Sequence, residues 1–174
     1  IDGDITHLVE LQVFAIPDET DINIALNKPV SAVQGEANLI TNGNRSDYWD
    51  GGAGPQSFVI DLEDYYKLTS LHAYPYYSDG RFYHYAIFGS DNGFTWTKIA
   101  EKNNDTPETS QGTIFEVSEE LSEQVFRYVK VDMTYNSANP SVHMNEFEVY
   151  GIKQDGYEPS SIPENDPTDP SNIA

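Results

Sequence analysis

The chain carries a group of side chains suited to binding an uncharged sugar. Two rings, a carboxylate and a guanidinium lie within six positions, at Tyr76, Tyr77, Asp79 and Arg81. Flat rings stack on the C–H faces of a pyranose, and planar donors and acceptors satisfy its hydroxyls. Side chains of the same kinds recur elsewhere in the chain, at Asp50, Tyr135, Asn136 and Asn139. The alternative for each tyrosine is a residue at the end of a strand that half-buries its ring.

No catalytic signature accompanies these residues. Gly-x-Ser-x-Gly, His-Glu-x-x-His and a phosphate-binding glycine loop do not occur. His72, His84 and His143 lie on three separate predicted strands, without the close spacing that a zinc site uses. A glycosidase pair, for example Asp50 with Asp79, would need an enclosed cleft and one carboxyl with a raised pKa, which nothing in the sequence marks. We therefore predict a protein that is not an enzyme.

Charge and composition exclude several classes of partner. Asp plus Glu total 29 against 9 Lys plus Arg, which gives a net charge of −20. Such a field repels phosphate backbones and anionic lipids, so we expect no nucleic-acid partner, and it disfavours strongly anionic polysaccharides. No stretch approaches the roughly 20 apolar residues that span a bilayer, so no membrane insertion is expected. The absence of cysteine excludes disulfides and thiolate metal sites.

Short runs rich in aromatic and β-branched residues predict an all-β protein. They are separated by turn signals such as Asp91-Asn92-Gly93, and Trp49 and Trp96 are expected in the core between the strands. Seven or more short strands of this kind indicate a β-sandwich or barrel. The predicted strands are 57–62, 68–74, 83–90, 95–100, 112–117, 125–134 and 142–150.

Both ends of the chain are interpreted as connections to other modules. Residues 152–171 are acidic and rich in proline, which predicts an extended linker. The segment His7–Ala15 resembles His143–Gly151, so residues 1–15 are predicted to be the last strand of a preceding module. The alternative is that they add an N-terminal strand to this domain. Residues 16–22 would then be a linker, and residues 172–174 would begin a following module.

Between Asn23 and Gly151 the sequence resembles the F5/8 type C (discoidin) family, and within it the bacterial carbohydrate-binding modules of family 32. The resemblance implies a jelly-roll β-sandwich of about eight main strands, of the galactose-binding-domain-like type, which binds ligand through loops at one end. Six segments carry it in order: Asn23–Val30, Asn42–Trp49, Phe58–Leu62, Gly89–Trp96, Arg127–Val131 and Asn145–Gly151.

The resemblance also implies a structural calcium ion between the Asn42 loop and the last strand. Asn42 stands where the family usually has Asp, and Asp47 where it has Thr, so a carboxylate is moved rather than lost. A hard cation takes six to eight oxygens, and a glycine-containing loop can turn its carbonyls inward. The alternative is an ordinary turn. The implied ligands are the side chains of Asn42, Asp47 and Glu146 and the backbone oxygens of Leu39, Asn44 and Asn145.

The family's sugar site is only partly matched. Members that bind galactose-type sugars often have a histidine directly after the tryptophan of the Asn42 segment, where this chain has Asp50. An arginine at the end of a later strand is replaced by Tyr77, although Arg81 lies four residues on. These departures argue against galactose itself.

The resemblance implies a module that attaches a larger, secreted or cell-surface bacterial protein to neutral glycans, with neighbouring modules as partners. The alternative function is a structural or adhesive spacer without sugar affinity. A binder needs exposed aromatic rings at the Tyr76–Tyr77 loop, whereas a spacer would bury or omit them.

Overall fold

The computed structural model describes residues 22–162. The predictions for residues 1–15, for most of the 16–22 linker, for the end of the acidic linker and for residues 172–174 lie outside the described residues.

Eight antiparallel strands and one short 3-10 helix make up the described chain, which confirms the predicted all-β fold. The helix (Ala37–Thr41) lies between β1 and β2, and no helix within residues 22–162 is long and apolar enough to cross a bilayer. The strand at Tyr83–Ser90 has the predicted bounds, whereas the predicted strands 57–62 and 68–74 form one continuous strand. The strands are β1 (Val30–Ala32), β2 (Trp49–Ala53), β3 (Gln56–Pro75), β4 (Tyr83–Ser90), β5 (Thr97–Lys102), β6 (Thr113–Glu116), β7 (Val125–Asn136) and β8 (Ser141–Lys153).

The long strand β3 belongs to both layers of the sandwich. Its first part, Gln56–Asp61, pairs with β7 and, in part, with β1, and its second part, Leu68–Pro75, pairs with β8 and, in part, with β6. Between the two parts the register shifts, and Glu63 has a φ of 64°. The strand order is β2-β8-β3-β7-β4-β5, with β1 and β6 paired to β3. This arrangement confirms the eight-stranded discoidin-like sandwich.

Aromatic rings from three strands join the two layers in the core. Trp49 of β2 meets Phe58 of β3 edge-on at 5.4 Å between ring centroids, and Phe58 meets Phe147 of β8 at 6.0 Å. Trp49 is 1% exposed, as predicted. The expectation for Trp96 is wrong, because its ring is only partly buried and lies under Lys130, whose Nζ is 5.1 Å from the ring.

A β-bulge interrupts β8 in its middle. Met144 and Phe147 both belong to the core, although strict alternation would place residues three apart on opposite faces. Asn145 has no partner in either neighbouring strand, while Met144 pairs with Pro75 and Glu146 with Tyr74. The bulge therefore turns two consecutive side chains, Asn145 and Glu146, away from the core.

A buried ion pair supports the start of β4. Lys102 Nζ lies 3.1 Å from Glu108 Oε1, and the two side chains are 5% and 1% exposed. The same ammonium donates to the carbonyls of Asn104, Thr106 and Tyr83, at 2.8–3.3 Å. The pair thus fixes the segment that follows β5 against the first residue of β4.

The chain after β8 is fastened to the turn after β4. Asp91 accepts hydrogen bonds from the Tyr157 hydroxyl at 3.0 Å, the Ser160 amide at 2.6 Å and the Ser160 hydroxyl at 2.7 Å. The Tyr157 ring packs on Tyr65 at 5.2 Å. Burial opposes ionisation of Asp91, but the hydrogen bonds from Ser160 and Tyr157 outweigh it and lower its pKa. The beginning of the proline-rich segment is therefore held against the domain.

Removing one partner of the buried ion pair should destabilise the domain strongly. We expect Lys102→Met to lower the free energy of unfolding by about 3–5 kcal/mol, because it leaves the Glu108 carboxylate buried without a counter-charge. The double variant Lys102→Met/Glu108→Leu should recover most of this loss. Urea denaturation checks both, and a single variant within about 1 kcal/mol of the parent would contradict the assignment.

Asp91→Ala should release residues 157–161 while leaving the sandwich intact. Hydrogen–deuterium exchange of backbone amides checks this, since the Ser160 amide loses its acceptor and should exchange much faster. Asp105→Ala, which removes an exposed carboxylate elsewhere, serves as the control. Unchanged exchange in Asp91→Ala would show that the contacts do not hold the segment.

Candidate functional site

A small cavity opens at the end of the sandwich where β3 ends and β4 and β8 begin. Its volume is about 160 Å³. One lining residue precedes β2, two belong to the β3–β4 connection, and two come from the β7–β8 turn and the start of β8. They are Tyr48, Tyr76, Arg81, Asn139 and His143.

Three rings meet around this cavity. Tyr48 lies edge-on to Tyr76 at 5.3 Å and to His143 at 5.4 Å, measured between ring centroids. Tyr48 remains 43% exposed. The cavity therefore has an aromatic wall whose rings hold one another in place and remain accessible to a ligand.

Arg81 is fixed at the cavity by four neighbours. Its guanidinium donates two hydrogen bonds to Asp79, one of them at 2.6 Å, and its side chain is only 10% exposed. The same group donates to the Tyr83 hydroxyl at 3.3 Å and to His143 Nδ1 at 3.4 Å, and it lies 4.7 Å above the Tyr76 ring. The hydrogen bonds from Arg81 lower the pKa of Asp79 to about 2, so Asp79 is a carboxylate at neutral pH.

The contacts of His143 determine its tautomer. Nδ1 receives the Arg81 N–H and lies 3.0 Å from the Tyr83 hydroxyl, so it must act as an acceptor. Burial lowers the pKa of His143, and the neutral ring then carries its proton on Nε2. That nitrogen lies 3.7 Å from Asp50 Oδ1. His143 thus presents an N–H donor beside an accessible carboxylate.

The buried ion pair of Lys102 and Glu108 also fixes the backbone around Arg81. The Glu108 amide donates to the Arg81 carbonyl at 2.8 Å, while Lys102 Nζ donates to the Tyr83 carbonyl. The guanidinium therefore extends from a segment that is fixed at both ends.

The structure brings together five of the eight predicted ligand residues and leaves three outside the cavity. Tyr76, Arg81 and Asn139 line the cavity. Asp79 is hydrogen-bonded to Arg81, and Asp50 lies beside His143. Tyr77 does not line the cavity. Tyr135 lies in a neighbouring groove, and so does Asn136, whose side-chain amide is used internally, donating to the Ser141 carbonyl at 2.6 Å.

Sequence reasoning missed two lining residues, Tyr48 and His143. Tyr48 stands between Asp47 and Trp49, within the Asn42–Trp49 segment that carries part of the family resemblance. Its position in that segment was the signal that could have identified it as a lining residue. His143 is the cross-strand partner of Asp50. The imidazole of His143 therefore lies beside Asp50, on the neighbouring strand.

A second candidate centre lies where the Asn42 loop meets the β8 bulge. The Asp47 carboxylate accepts hydrogen bonds from the side-chain amides of Asn42, at 3.1 Å, and Asn44, at 2.8 Å. The Gly43 amide donates to Glu146 Oε2 at 3.1 Å, and Gly43 has a φ of 79°, the left-handed region that favours glycine. Asn145 donates to a backbone carbonyl of the same loop at 2.9 Å. Leu39 lies in the 3-10 helix that leads into the loop and packs on β8.

Three oxygens at this centre are buried without a hydrogen-bond partner among residues 22–162: Asp47 Oδ1, Asn145 Oδ1 and Glu146 Oε1. Burial, with the nearby carboxylates of Glu148 and Asp47, raises the pKa of Glu146 to about 8. Unpaired buried oxygens are costly, and a cation would satisfy all three. The donor set thus fits a hard, oxygen-binding ion.

The centre contains only two carboxylates. Within the described part of the chain, no three His, Cys, Asp or Glu side chains are grouped as a metal site built from them alone would require. A cation here would therefore rely on amide and backbone oxygens as well, which is the donor chemistry of Ca²⁺ rather than of Zn²⁺.

Curated relatives match about two thirds of the chain. Over 125 residues the chain is 26% identical to BTB/POZ domain-containing protein 9 of Homo sapiens, which covers 68% of this chain and 19% of that protein. The chain thus spans about a fifth of the length of the curated relatives it matches.

Solved structures share the fold. A family 89 glycoside hydrolase from Clostridium perfringens, in complex with 2-acetamido-1,2-dideoxynojirmycin, matches with a TM-score of 0.69 and 26% identity, over 80% of this chain and 15% of the hydrolase. The CBM32 of AlyQ in complex with 4,5-unsaturated mannuronic acid matches with a TM-score of 0.62 and 17% identity, over 71% of this chain and 95% of that module.

The profile of the F5/8 type C domain matches residues 25–147, which include every residue of both candidate centres. The chain therefore belongs to the F5/8 type C domain family.

Proposed function

We propose that this domain is a carbohydrate-binding module that holds the end of a neutral glycan in the cavity beside Arg81. The observation that carries the proposal is the convergence of Tyr48 and Tyr76 rings with the Arg81, His143 and Asn139 donors around one accessible cavity. Rings of this kind stack on a pyranose, and the donors match its hydroxyls. Arg81 is paired with Asp79, so the cavity offers no free positive charge, and an uncharged sugar is favoured.

The module binds without catalysing a reaction. Asp79, held as a carboxylate with its pKa at about 2, cannot act as a general acid at neutral pH. Asp50 is more than half exposed, outside any closed cleft. Asp79 therefore does not supply the protonated acid that glycoside hydrolysis needs.

A calcium ion at the Asn42 loop would support this site. Asp47, Asn145 and Glu146 would bind it through their unpaired oxygens, with Asn42 and the carbonyls of Leu39, Asn44 and Asn145 completing the set. When bound, the ion supplies charge compensation for the buried carboxylates. Because Tyr48 directly follows Asp47, fixing the loop also fixes one wall of the sugar cavity.

Exposed rings at the cavity favour a binder over a spacer. A spacer would bury or omit them, yet Tyr48 is 43% exposed and lines the cavity with Tyr76. The cavity is small, so each site binds weakly, and neighbouring modules in a longer secreted or cell-surface protein would raise avidity through effective concentration. A bacterial protein that acts on glycans is the context we propose.

Replacing Arg81 by Met should weaken glycan binding about tenfold or more, since charge-assisted hydrogen bonds to the sugar are lost. Tyr48→Ala should weaken it about three- to tenfold through loss of ring stacking. A glycan array identifies neutral ligands, and isothermal titration calorimetry with the best ligand measures the variants. Phe94→Ala, an exposed ring in the turn after β4, is the control. A blank array with folded domain would favour the spacer.

Calcium should raise the melting temperature of the domain, and a chelator should reverse the change. At calcium concentrations about 100-fold above the dissociation constant, we expect an increase of about 5–10 °C. Glu146→Gln, which keeps the side-chain shape, should abolish the increase, whereas Glu116→Gln on an exposed strand position should retain it. An equal melting temperature with calcium and with chelator would contradict a calcium site.

A further inference from the structure

A groove adjoins the sugar cavity and shares Asn139 with it. Its volume is about 410 Å³, and it is lined by Gly54 and by the β7–β8 segment from Thr134 to Pro140. Building on the proposed function, we propose that this groove is a second sugar subsite, so that the domain recognises at least two consecutive units of a neutral glycan.

Asn139 lines both the cavity and the groove. Its Oδ1 accepts hydrogen bonds from the Ser141 amide at 2.9 Å and from Asn136 Nδ2 at 3.2 Å, which fixes the orientation of the side-chain amide. Its Nδ2 donates to no acceptor among residues 22–162 and is left for a ligand. One donor at the junction can therefore bind the linkage region between two sugar units.

Tyr135 provides an aromatic platform beside the groove. Its ring packs against His84 at 5.1 Å and Phe82 at 5.7 Å, and these two rings are 5.6 Å apart, so the three form one cluster in which Tyr135 remains 46% exposed. Because neighbours hold the ring, little conformational freedom is lost when a sugar stacks on it.

The groove is formed before any ligand binds. Asn136 donates to the Ser141 carbonyl and accepts from the Ala138 amide at 3.0 Å, and the Gly54 amide donates to the Pro140 carbonyl at 2.8 Å. Ser137 exchanges two hydrogen bonds with Phe82, each at 3.0 Å. These bonds fix the turn on both sides.

The chemistry of the lining indicates an uncharged occupant. Thr134 to Pro140 and Gly54 include no acidic or basic side chain, and the net charge of the chain is −20. A uronic acid or sulfated unit would find no counter-charge in the groove and would face an unfavourable overall field. A neutral pyranose with one face free for stacking fits both conditions.

The test compares one sugar unit with two. Methyl glycosides of galactose, glucose, mannose and N-acetylglucosamine, and disaccharides ending in each, are titrated against the domain by calorimetry in the presence of calcium. We expect the best disaccharide to bind about three- to tenfold more tightly than its methyl glycoside. Tyr135→Ala should remove this difference while changing the affinity for the methyl glycoside less than twofold. Phe94→Ala should leave both affinities as they are.

The outcomes separate the two proposals. If a methyl glycoside binds and Arg81→Met weakens it, but the disaccharide binds no better or Tyr135→Ala has no effect on it, the second subsite is wrong and the first stands. If no saccharide binds, both are wrong. Melting curves confirm that each variant is folded, and Tyr135→Leu, which keeps bulk without a flat ring, replaces Tyr135→Ala if the latter does not fold.

Discussion

The bulge in β8 is the constraint on which both candidate centres depend. A regular strand would turn Glu146 into the core that Met144 and Phe147 occupy on either side. The unpaired Asn145 shifts the alternation by one residue, so that apolar side chains continue to fill the core while two polar ones face the Asn42 loop. His143 lies on the same strand before the bulge and opposite Asp50. One irregularity thus sets the position of the buried oxygens of the second candidate centre relative to the cavity beside Arg81.

The two glutamates at the outer side of β8, Glu146 and Glu148, have different electrostatic partners. Glu148 forms an ion pair with Arg45, whose guanidinium lies 3.6 Å from the Tyr74 ring centroid, and accepts a hydrogen bond from the Tyr150 hydroxyl at 2.9 Å. Glu146, two residues away and fully buried, has a single backbone donor and no cationic side chain bonded to it among the described residues. Burial raises the pKa of Glu146 to about 8, so the side chain is mostly protonated at neutral pH unless a charge such as the proposed calcium ion stabilises its ionised form.

Much of the fold could be predicted from the sequence because alternation and turn signals are local. The bounds of Tyr83–Ser90 were found in this way. The partnership of the Asn42 loop with Asn145 and Glu146 followed instead from the resemblance to the F5/8 type C family. The joining of residues 57–62 and 68–74 into β3 depends on a bend that pairs one strand with both layers, which no local pattern shows. His143 was missed for a related reason: its function comes from its cross-strand neighbour Asp50, and pairing is not visible from spacing along the chain.

The ends of the described chain lie on the side of the domain opposite to the cavity, which fits a module that binds ligand through the loops at one end of the sandwich. Arg81 precedes β4 and Asp91 follows it, so the sugar cavity and the anchored C-terminal segment are separated by the length of an eight-residue strand, about 25 Å. Ile22 shares a depression with Tyr66 and Lys153, at the end of β8 opposite to His143. Both ends of the described chain therefore lie away from the cavity. Because Asp91 holds Ser160, the described C-terminal segment stays on that side of the domain, away from the loops that line the cavity.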